Sequence, residues 1–328
     1  MITNTSKEII SIIREAGAIT PNDLFNKLSI SNQAIHRQLK NLIHKGALIK
    51  TGTPPRVYYS INEGPDLNHE TKDLIIAEHI KKIIDENYLV ITPTGELKSG
   101  WVGFSYWCNK NNLDIAKTAN EYVKTISKYA KFKTNGLITG SSKLKATFKQ
   151  VNVDEIFYLD FYSIERFDKT RLGQLLLYSK QSQNRELMNE LVDSIRPQVL
   201  KLIKDRQIDG VAYVQPTVKR NLQFMKELEK KLNLKLHIIK ILKIKTPITV
   251  PQKTLNKLES RIENAQKTFI VDDDGRYNNI LVIDDAVGSG ATINEIAGMI
   301  RTKGLASGKI YGLAITGSFK GFETISEV

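Results

Sequence analysis

The chain has a single cysteine and no long apolar run, and each shortage excludes a class of protein. Cys108 cannot form a disulfide within the chain, which favours the reducing cytoplasm. No apolar run approaches the roughly 20 residues of a membrane-spanning helix, so we expect no contact with a membrane. The segment 1–8 lacks the basic and then apolar pattern of a signal peptide. These absences together predict a cytoplasmic protein.

Glycine and proline are also sparse, at 20 and 9 of 328 residues, and the chain shows no repeat or low-complexity tract. With 41% apolar residues, a chain of this length can bury two or three separate cores. The histidines show no metal-binding spacing, so we expect them to be ordinary surface or core residues. They are His36, His44, His69, His79 and His237.

The positive charge is concentrated at the two ends of the chain. The formal net charge of the whole chain is +13. Residues 1–64 carry 8 basic and 4 acidic side chains, residues 65–194 carry 18 and 17, and residues 195–328 carry 22 and 14. Both ends therefore favour polyanions, and the middle does not. Charge alone does not separate a phosphorylated small molecule from a nucleic acid.

The most informative segment is 280–292, where an apolar strand leads into two acids and a small polar loop. Ile280–Ile283 is apolar, Asp284 and Asp285 follow, and Gly288–Thr292 is rich in glycine and hydroxyl residues. Apolar residues then recur at helical spacing, namely Ile293, Ile296, Ala297 and Ile300. A loop at a helix N-terminus suits a phosphate monoester, because backbone N–H groups converge there and the helix dipole favours an anion. The two acids could hold vicinal sugar hydroxyls or water ligands of Mg²⁺.

Other phosphate-binding loops fit this segment less well. A Walker loop requires a lysine directly before its serine or threonine, and the segment has none. A dinucleotide-binding loop requires a third small residue where Ile293 stands. The remaining alternative is an ordinary polar turn between a strand and a helix of an α/β domain.

The segment resembles the phosphoribosyl pyrophosphate (PRPP) motif of type I phosphoribosyltransferases. In that family the acids bind the ribose hydroxyls and the loop binds the 5-phosphate, which implies that Mg²⁺ is held indirectly through Asp284 and Asp285. Gly288 departs from the pattern, since a hydroxyl residue is more usual there. The PRPP-binding residues that the resemblance implies are Asp284, Asp285, Ala286, Val287, Gly288, Ser289, Gly290, Ala291 and Thr292.

The resemblance extends over residues 155–316, about half of the chain. The segment 209–220 is similar to the family's first strand and pyrophosphate loop, which implies that Thr217, Lys219 and Arg220 bind pyrophosphate. A further set of residues has the spacing of the ComF-like branch, namely Gln252, Leu255, Arg261, Asn264 and Phe269. The resemblance implies that Arg261 lies on a mobile hood and closes over the site.

The apolar patterns of this region predict alternating strands and helices. We expect strands at 157–161, 209–214, 235–242, 280–284 and 309–316, helices at 174–187, 189–204, 219–232 and 291–303, and an irregular hood at 243–279. Such alternation predicts a parallel sheet with its site at the carboxyl ends of the strands. The predicted fold class is α/β, with a parallel-sheet type I phosphoribosyltransferase-like domain preceded by two smaller domains.

The first of these, residues 1–64, is predicted to be a winged helix-turn-helix. Ile9, Ile10, Ile12 and Ile13 fall on one face of a first helix, and Thr20-Pro21 opens a second. Ser31 caps a third helix, whose inward residues are expected to be Ala34, Ile35, Leu39, Leu42 and Ile43. Two strands around the basic, proline-containing tip 52–56 complete the pattern.

The third helix, residues 31–45, is the expected recognition helix. Its asparagine, glutamine and arginine side chains can contact base edges, and its lysine and arginine side chains can contact phosphates. The predicted DNA-binding residues are Asn32, Gln33, His36, Arg37, Lys40 and, at the wing tip, Arg56. RNA is an alternative partner. An ordinary solvated face and a protein-binding module also remain open.

Residues 65–155 are expected to form a linker helix near 74–84 and a small α+β middle domain with a helix at about 114–129. Trp101, Phe104, Tyr106 and Trp107 crowd a short stretch, which is typical of a small core. Base stacking or a ligand cage is the alternative. The expected domains are therefore 1–64, 65–155 and 156–328.

Two functions remain open from the sequence. In the first, the protein is a DNA-binding regulator or effector that binds Mg²⁺-PRPP or a related nucleotide, and the ligand tunes DNA binding. In the second, it is an active phosphoribosyltransferase, or a toxin-like effector that modifies nucleotides or nucleic acid, positioned by its winged helix. No segment predicts the acceptor, and a homo-oligomer is left open.

Overall fold

The structure, a computed structural model, describes residues 4–28, 30–53, 56–62, 76–216, 220–244, 247–248, 250, 254–255 and 257–318. The chain divides into two compact units, Met1–Ile75 with Pro93–Gly95 and Ile76–Thr92 with Glu96–Val328. No helix in the described part of the chain is both long and apolar enough to cross a membrane.

The N-terminal unit has three helices and a β-hairpin, as predicted. Its elements are α1 (Asn4–Ala16), β1 (Ala18–Ile19), α2 (Pro21–Lys27), α3 (Asn32–His44), β2 (Leu48–Thr53) and β3 (Arg56–Ile61). The strands form an antiparallel sheet in the order β1-β3-β2. Thr20 and Ser31 cap α2 and α3, because their side-chain oxygens accept hydrogen bonds from the backbone N–H groups of Asp23 and Ala34.

The predicted apolar faces build the core of this unit, with one exception. Its buried residues are Ile9, Ile13, Ile19, Leu24, Leu28, Ile35, Leu39, Leu42, Leu48 and Tyr59. The prediction that Ile43 faces inward is wrong, since this side chain is 37% exposed. Ile35, Leu39 and Leu42 already occupy one stripe of α3 at spacings of four and three residues, which leaves Ile43 at its edge.

The larger unit alternates strands and helices along most of its length. Its first elements are α4 (Glu78–Asn87), β4 (Leu89–Ile91), β5 (Leu97–Ser99), α5 (Gly100–Lys110), α6 (Ile115–Ala130), β6 (Lys133–Thr134), β7 (Leu137–Thr139) and α7 (Ser141–Thr147). They are followed by β8 (Glu155–Phe161), a 3₁₀ turn (Glu165–Phe167), α8 (Arg171–Ser182), α9 (Arg185–Asp205), β9 (Gly210–Tyr213), α10 (Phe224–Leu232), β10 (His237–Ile239) and β11 (Ile241–Lys243). The last elements are α11 (Leu258–Thr268), β12 (Phe269–Val271), β13 (Ile280–Val287), α12 (Ala291–Thr302) and β14 (Ile310–Gly317).

A seven-stranded sheet of order β10-β9-β13-β14-β8-β7-β6 forms the centre of this unit. The first five strands in this order are parallel, and β7 and β6 extend the sheet in antiparallel fashion beyond β8. The predicted α/β class with a mostly parallel sheet is confirmed. β13 lies between β9 and β14, so the segment with the two acids runs through the middle of the sheet.

Helices cover both faces of the sheet. The helices α8, α9 and α10 pack on one face, and α7, α11 and α12 pack on the other. Successive residues of β13 alternate between these faces, with Leu281 and Ile283 on the first and Ile280 and Val282 on the second. This double coverage explains why the sequence of β13 begins as a continuous apolar run.

Phe104, Trp101 and Trp107 of α5 belong to a core cluster, as predicted, whereas Tyr106 does not. Phe104 is fully buried, and its ring centroid lies 5.2 Å from that of Tyr88 and 5.4 Å from that of Tyr122. Trp101 and Trp107 pack against the same cluster while remaining partly exposed. The cluster therefore has a structural role in the core.

The domain boundary predicted near residue 155 runs through a shared core. The strands β6 and β7 belong to the same sheet as β8. The cluster that contains Phe104 also includes Tyr158 and Phe161 of β8 and Ala314 of β14. The segments on the two sides of residue 155 therefore lie in one compact unit, because the apolar faces of the first are buried against strands of the second.

Several elements differ from the sequence-based expectation. The helix predicted at 174–187 is divided, since α8 ends at Ser182 and α9 begins at Arg185. The helix predicted from 219 begins at Phe224, and the strand predicted at 235–242 is two strands, with β10 in the main sheet and β11 in a separate ribbon with β12. The prediction of an irregular hood is wrong for 258–271, which forms α11 and β12. The inner face of α11 has only Leu258, Ile262 and Ala265, so its apolar pattern is weak.

Candidate functional site

The two acids and the small polar loop lie where the central strand gives way to a helix. The strand β13 continues through Asp284 and Asp285 to Val287, and α12 begins at Ala291. Gly290 precedes α12 in the left-handed conformation, with φ of 81°. Only glycine adopts this φ without strain, so Gly290 permits the sharp entry into the helix. The strand, loop and helix thus have the order that the sequence predicts.

The helix α7 closes one side of this loop. A small cavity of about 20 Å³ separates them, which is room for about one water molecule. A side chain added at Gly290 would place its Cβ 2.7 Å from Cδ1 of Leu144 in α7. The loop is therefore packed closely against Leu144 of α7 on this side.

Asp284 and Asp285 are neighbours in sequence but have different partners. The carboxylate of Asp285 accepts a hydrogen bond from Nζ of Lys180 in α8, at 2.7 Å. Oδ1 of Asp284 accepts one from the backbone N–H of Asp285, at 2.8 Å. The hydrogen bond of Lys180 is to Asp285, and its charge also acts on Asp284.

The environment of Asp284 opposes its ionisation. Burial, together with the negative charge of Asp285, raises the pKa of the Asp284 carboxyl from 3.8 to about 8. The charges of Lys180 and Lys243 act in the opposite direction but do not cancel the effect. Strongly shifted carboxyl groups are concentrated at functional sites, although structural networks also produce them.

Lys180 connects Asp285 to the segment after β9. Its backbone carbonyl accepts a hydrogen bond from Nη1 of Arg220, and Oε1 of Gln183 accepts one from the backbone N–H of Leu222, at 2.8 Å. Arg220, one of the predicted pyrophosphate-binding residues, is therefore fixed beside the helix whose lysine pairs with Asp285. Sequence reasoning missed Lys180, because nothing in an ordinary helix pattern points to a partner 105 residues away.

The other predicted ligand-binding residues are only partly brought together. Thr217 and Lys219 lie outside the described residues. Arg261 is buried in α11, where its Nε donates a hydrogen bond to the carbonyl oxygen of Leu255 at 2.7 Å. Burial also lowers the pKa of Arg261. In this structure Arg261 is therefore a packed residue of α11. Its predicted role in closing over the site stays a prediction.

The acids offer hard oxygen donors, but they do not form a ready-made metal site. Among the described residues, no group of three or more histidine, cysteine, aspartate or glutamate side chains could hold a metal ion. Lys180 already pairs with Asp285. An Mg²⁺ ion at this place would therefore reach the acids through water and take most of its ligands from a bound phosphate.

The outward face of α3 takes no part in the core of the N-terminal unit. The predicted residues Asn32, Gln33, His36, Arg37 and Lys40 are all exposed. The neighbouring Gln38 instead accepts a hydrogen bond from the hydroxyl of Ser6 in α1, at 2.8 Å. The wing residues 54–55 and the side chain of Arg56 lie outside what the structure describes.

Comparison with known proteins identifies the N-terminal unit. A family model described as winged helix-turn-helix DNA-binding matches residues 2–48. The match covers α1 to α3 and reaches the start of β2. It supports a DNA-binding role for this unit. No curated protein matches the chain.

The raised pKa of Asp284 predicts a pH-dependent cost to stability. Between pH 4 and 8 the folded protein retains a proton on Asp284 that the unfolded chain releases, so this residue lowers the free energy of unfolding as the pH rises. We expect Asp284→Asn, which cannot ionise, to become more stable than the wild type over this range, by on the order of 1–3 kcal/mol at pH 8. Urea denaturation of both proteins at several pH values measures the difference.

The exposed Asp274 provides the matched control for this measurement. Asp274→Asn makes the same chemical change at an exposed site, so a pH effect that both variants share does not come from the burial of Asp284. A stability difference between Asp284→Asn and the wild type that did not change from pH 4 to 8 would contradict the ionisation argument.

Proposed function

We propose that the protein is a DNA-binding regulator or effector whose larger unit binds Mg²⁺-PRPP or a related nucleotide. The observation that carries this proposal is the end of β13, where two adjacent half-buried acids, one of them paired with Lys180, and a glycine-permitted loop lead into the N-terminus of α12. The proposal places the ligand across the carboxyl ends of β9 and β13, which are neighbours in the sheet.

The loop 288–290 suits the 5-phosphate of such a ligand. Ser289 and Thr292 supply hydroxyl donors, and the first N–H groups of α12 lack partners within the helix. The positive end of the helix dipole adds to the attraction for an anion. The left-handed Gly290 supports this assignment, because it lets the backbone turn closely around a small group.

The two acids suit the ribose hydroxyls. A carboxylate accepts two hydrogen bonds from vicinal hydroxyls, and Asp284 and Asp285 are the acceptors at the end of the strand. Asp285 already holds Lys180, so a ligand hydroxyl would share or replace that contact. Arg220 and Lys180 supply positive charge for the pyrophosphate group. Mg²⁺ bound to the ligand would reduce the charge of that group further.

The alternative is that the protein is an active transferase. The raised pKa of Asp284 is the observation that supports this alternative. In the reaction the bond between C1 of the ribose and pyrophosphate breaks, and a nucleophile forms a new bond to C1. Residues near C1 must then stabilise positive charge on the ribose and negative charge on pyrophosphate. The proposal assigns the first task to Asp284 and Asp285 and the second to Arg220. A nucleotide or a nucleic acid is the acceptor that a DNA-binding unit would help to position.

The exposed face of α3 predicts the effect of mutations on DNA binding. Changing Arg37 and Lys40 together to alanine should weaken binding to every duplex and lower the salt dependence of binding by about 1–2 units in slope. Gln33→Ala should instead reduce the preference among sequences. Fluorescence anisotropy with a panel of duplexes measures both effects. Lys7 and Arg14, which are exposed on α1, are the control pair, and equal losses from both pairs would rule out α3 as the contact.

The proposed ligand predicts thermal stabilisation. Mg²⁺-PRPP should raise the melting temperature, because a ligand that binds only the folded protein stabilises it by about 2.7 kcal/mol at a 100-fold excess over its Kd. The double variant Asp284→Asn with Asp285→Asn should lose this shift, and Asp274→Asn should keep it. Gly290→Val is unsuitable as a test, since its side chain would clash with Leu144. No shift in the wild type at millimolar PRPP would disprove the ligand.

The regulator and the enzyme make different predictions about DNA affinity. If the protein is a PRPP-responsive regulator, Mg²⁺-PRPP should change its DNA affinity by about 5- to 150-fold in either direction. Anisotropy with and without the ligand, combined with an assay for released pyrophosphate, decides between the two functions. Unchanged affinity with pyrophosphate release would favour the enzyme, and unchanged affinity without release would contradict both.

A further inference from the structure

The helix α6 carries positive charge along its exposed face. Residues 110–133 contain six lysines and two acids, although the middle of the chain, 65–194, is nearly neutral as a whole. Lys117, Lys124 and Lys131 follow one another at intervals of seven residues, which is close to two helical turns. All three are exposed, and none of them forms an ion pair within the part of the chain that the structure describes. These three residues are the lysine row of α6.

The acids beside the lysine row are engaged elsewhere. Glu121, the one acid in the sequence of α6, pairs with Arg166. Glu165 of the 3₁₀ turn pairs with Lys128. Asp114 caps the helix, because its side chain accepts a hydrogen bond from a backbone N–H of the first turn at 2.7 Å. Each of these acids therefore has a partner outside the row, and the charge of the row remains available.

This distribution of charge is unfavourable for an isolated helix. Lys117 lies in the first turn, which has no acid and where the helix dipole disfavours a cation. Lys124 and Lys128 are four residues apart, a spacing at which like charges repel each other. The helix α10, by contrast, mixes both signs over residues 226–231. A glutamate in place of Lys117 would suit the helix better, so solubility and helix stability do not explain the row.

The opposite face of α6 anchors the helix in the core. Ala119, Tyr122 and Tyr129 are buried in the same cluster as Phe104. The ring centroid of Tyr122 also lies 5.0 Å from that of Phe167, in an edge-to-face contact. The lysine row therefore projects from a rigid support. At about 1.5 Å per residue it spans about 21 Å, which is roughly the length of six base pairs of duplex DNA.

We propose that the lysine row of α6 is a second DNA-binding surface, which contacts the phosphates of a DNA duplex. Lysine binds phosphate as a point charge, so a row of unpaired lysines complements the backbone of a polyanion. The family match of residues 2–48 supports DNA as a partner of this chain, which favours DNA over other polyanions. The assignment rests on the DNA-binding part of the proposed function and is independent of the PRPP part. Phosphate contacts carry no sequence information, so the row adds affinity for every duplex.

The test measures the affinity of the full chain for a panel of duplexes at several salt concentrations. One variant replaces Lys117, Lys124 and Lys131 together by glutamine, which is also a good helix former. We expect it to bind every duplex about 10- to 100-fold more weakly at low salt, with a slope against log salt that is about 2–3 units shallower. Replacing the same three residues by arginine keeps the charge and should preserve the wild-type slope. Fluorescence anisotropy measures both quantities.

The matched control removes three other exposed lysines of the same unit. Lys226 and Lys230 lie on α10, and Lys267 pairs with Glu263 at 2.6 Å in α11. Their joint replacement by glutamine changes the net charge by the same amount, and it should leave the affinity within about twofold of the wild type. Equal losses from the two triple variants would show a general effect of net charge and would overturn the assignment.

Further outcomes separate α6 from the winged helix and from the fold. The glutamine changes in α6 should weaken binding further when they are added to Arg37→Ala with Lys40→Ala. The melting temperature of the α6 glutamine variant should equal or exceed that of the wild type, since repulsion between lysines is removed. If the wild type binds DNA and this variant binds it equally well, the assignment alone fails, and an acidic protein becomes the alternative partner of the row. If the wild type binds no duplex at low salt, the DNA-binding part of the proposed function fails as well.

Discussion

The larger unit depends on balancing two adjacent carboxylates at the end of a strand buried on both faces. Burial and the charge of Asp285 both oppose the ionisation of Asp284. Lys180 of α8 pairs with Asp285, and the charges of Lys180 and Lys243 both act on Asp284 in the opposite direction. These two cations do not cancel the effect, so the pKa of Asp284 remains raised.

The energetically unfavourable groups near this site belong to a few residues. Burial raises the pKa of Asp284, Lys243 lacks an acceptor within the described part of the chain, and Gly290 is confined to a left-handed turn. The surrounding sheet is well packed, and the strand leading to the acids is fully apolar. Unfavourable groups that persist in such a stable setting are typical of binding sites, where a ligand offsets what the free protein cannot.

Local patterns in the sequence were sufficient to predict part of this structure. The run Ile280–Ile283 and the glycine-rich loop after it specify a strand, a turn and a helix within a few residues. The caps at Thr20 and Ser31 and the apolar stripes of α1 and α3 likewise specify the winged helix. In each case neighbouring residues determine the element, so periodicity and capping were enough to predict it.

Local patterns did not predict the contacts between residues that lie far apart in the sequence. The contact of Lys180 with Asp285 joins residues 105 positions apart, and the sharing of one core by α5, β8 and β14 is equally non-local. A middle domain was predicted because the aromatic cluster suggested a separate small core. Phe104 and its neighbours are instead buried against strands of the main sheet. The helix α11 was missed because its charged face outweighs three apolar residues.

The order of strands in the sheet also bears on how the chain is made. The first strand of the parallel sheet, β8 at 155–161, pairs with the last, β14 at 310–317. During synthesis β8 therefore has no partner on that side until β14 has left the ribosome. The helices and strands of the winged helix all lie within residues 4–61, so it can fold before that. A nascent chain would thus carry a folded winged helix while the apolar strands that follow it still lack the segment that completes their sheet.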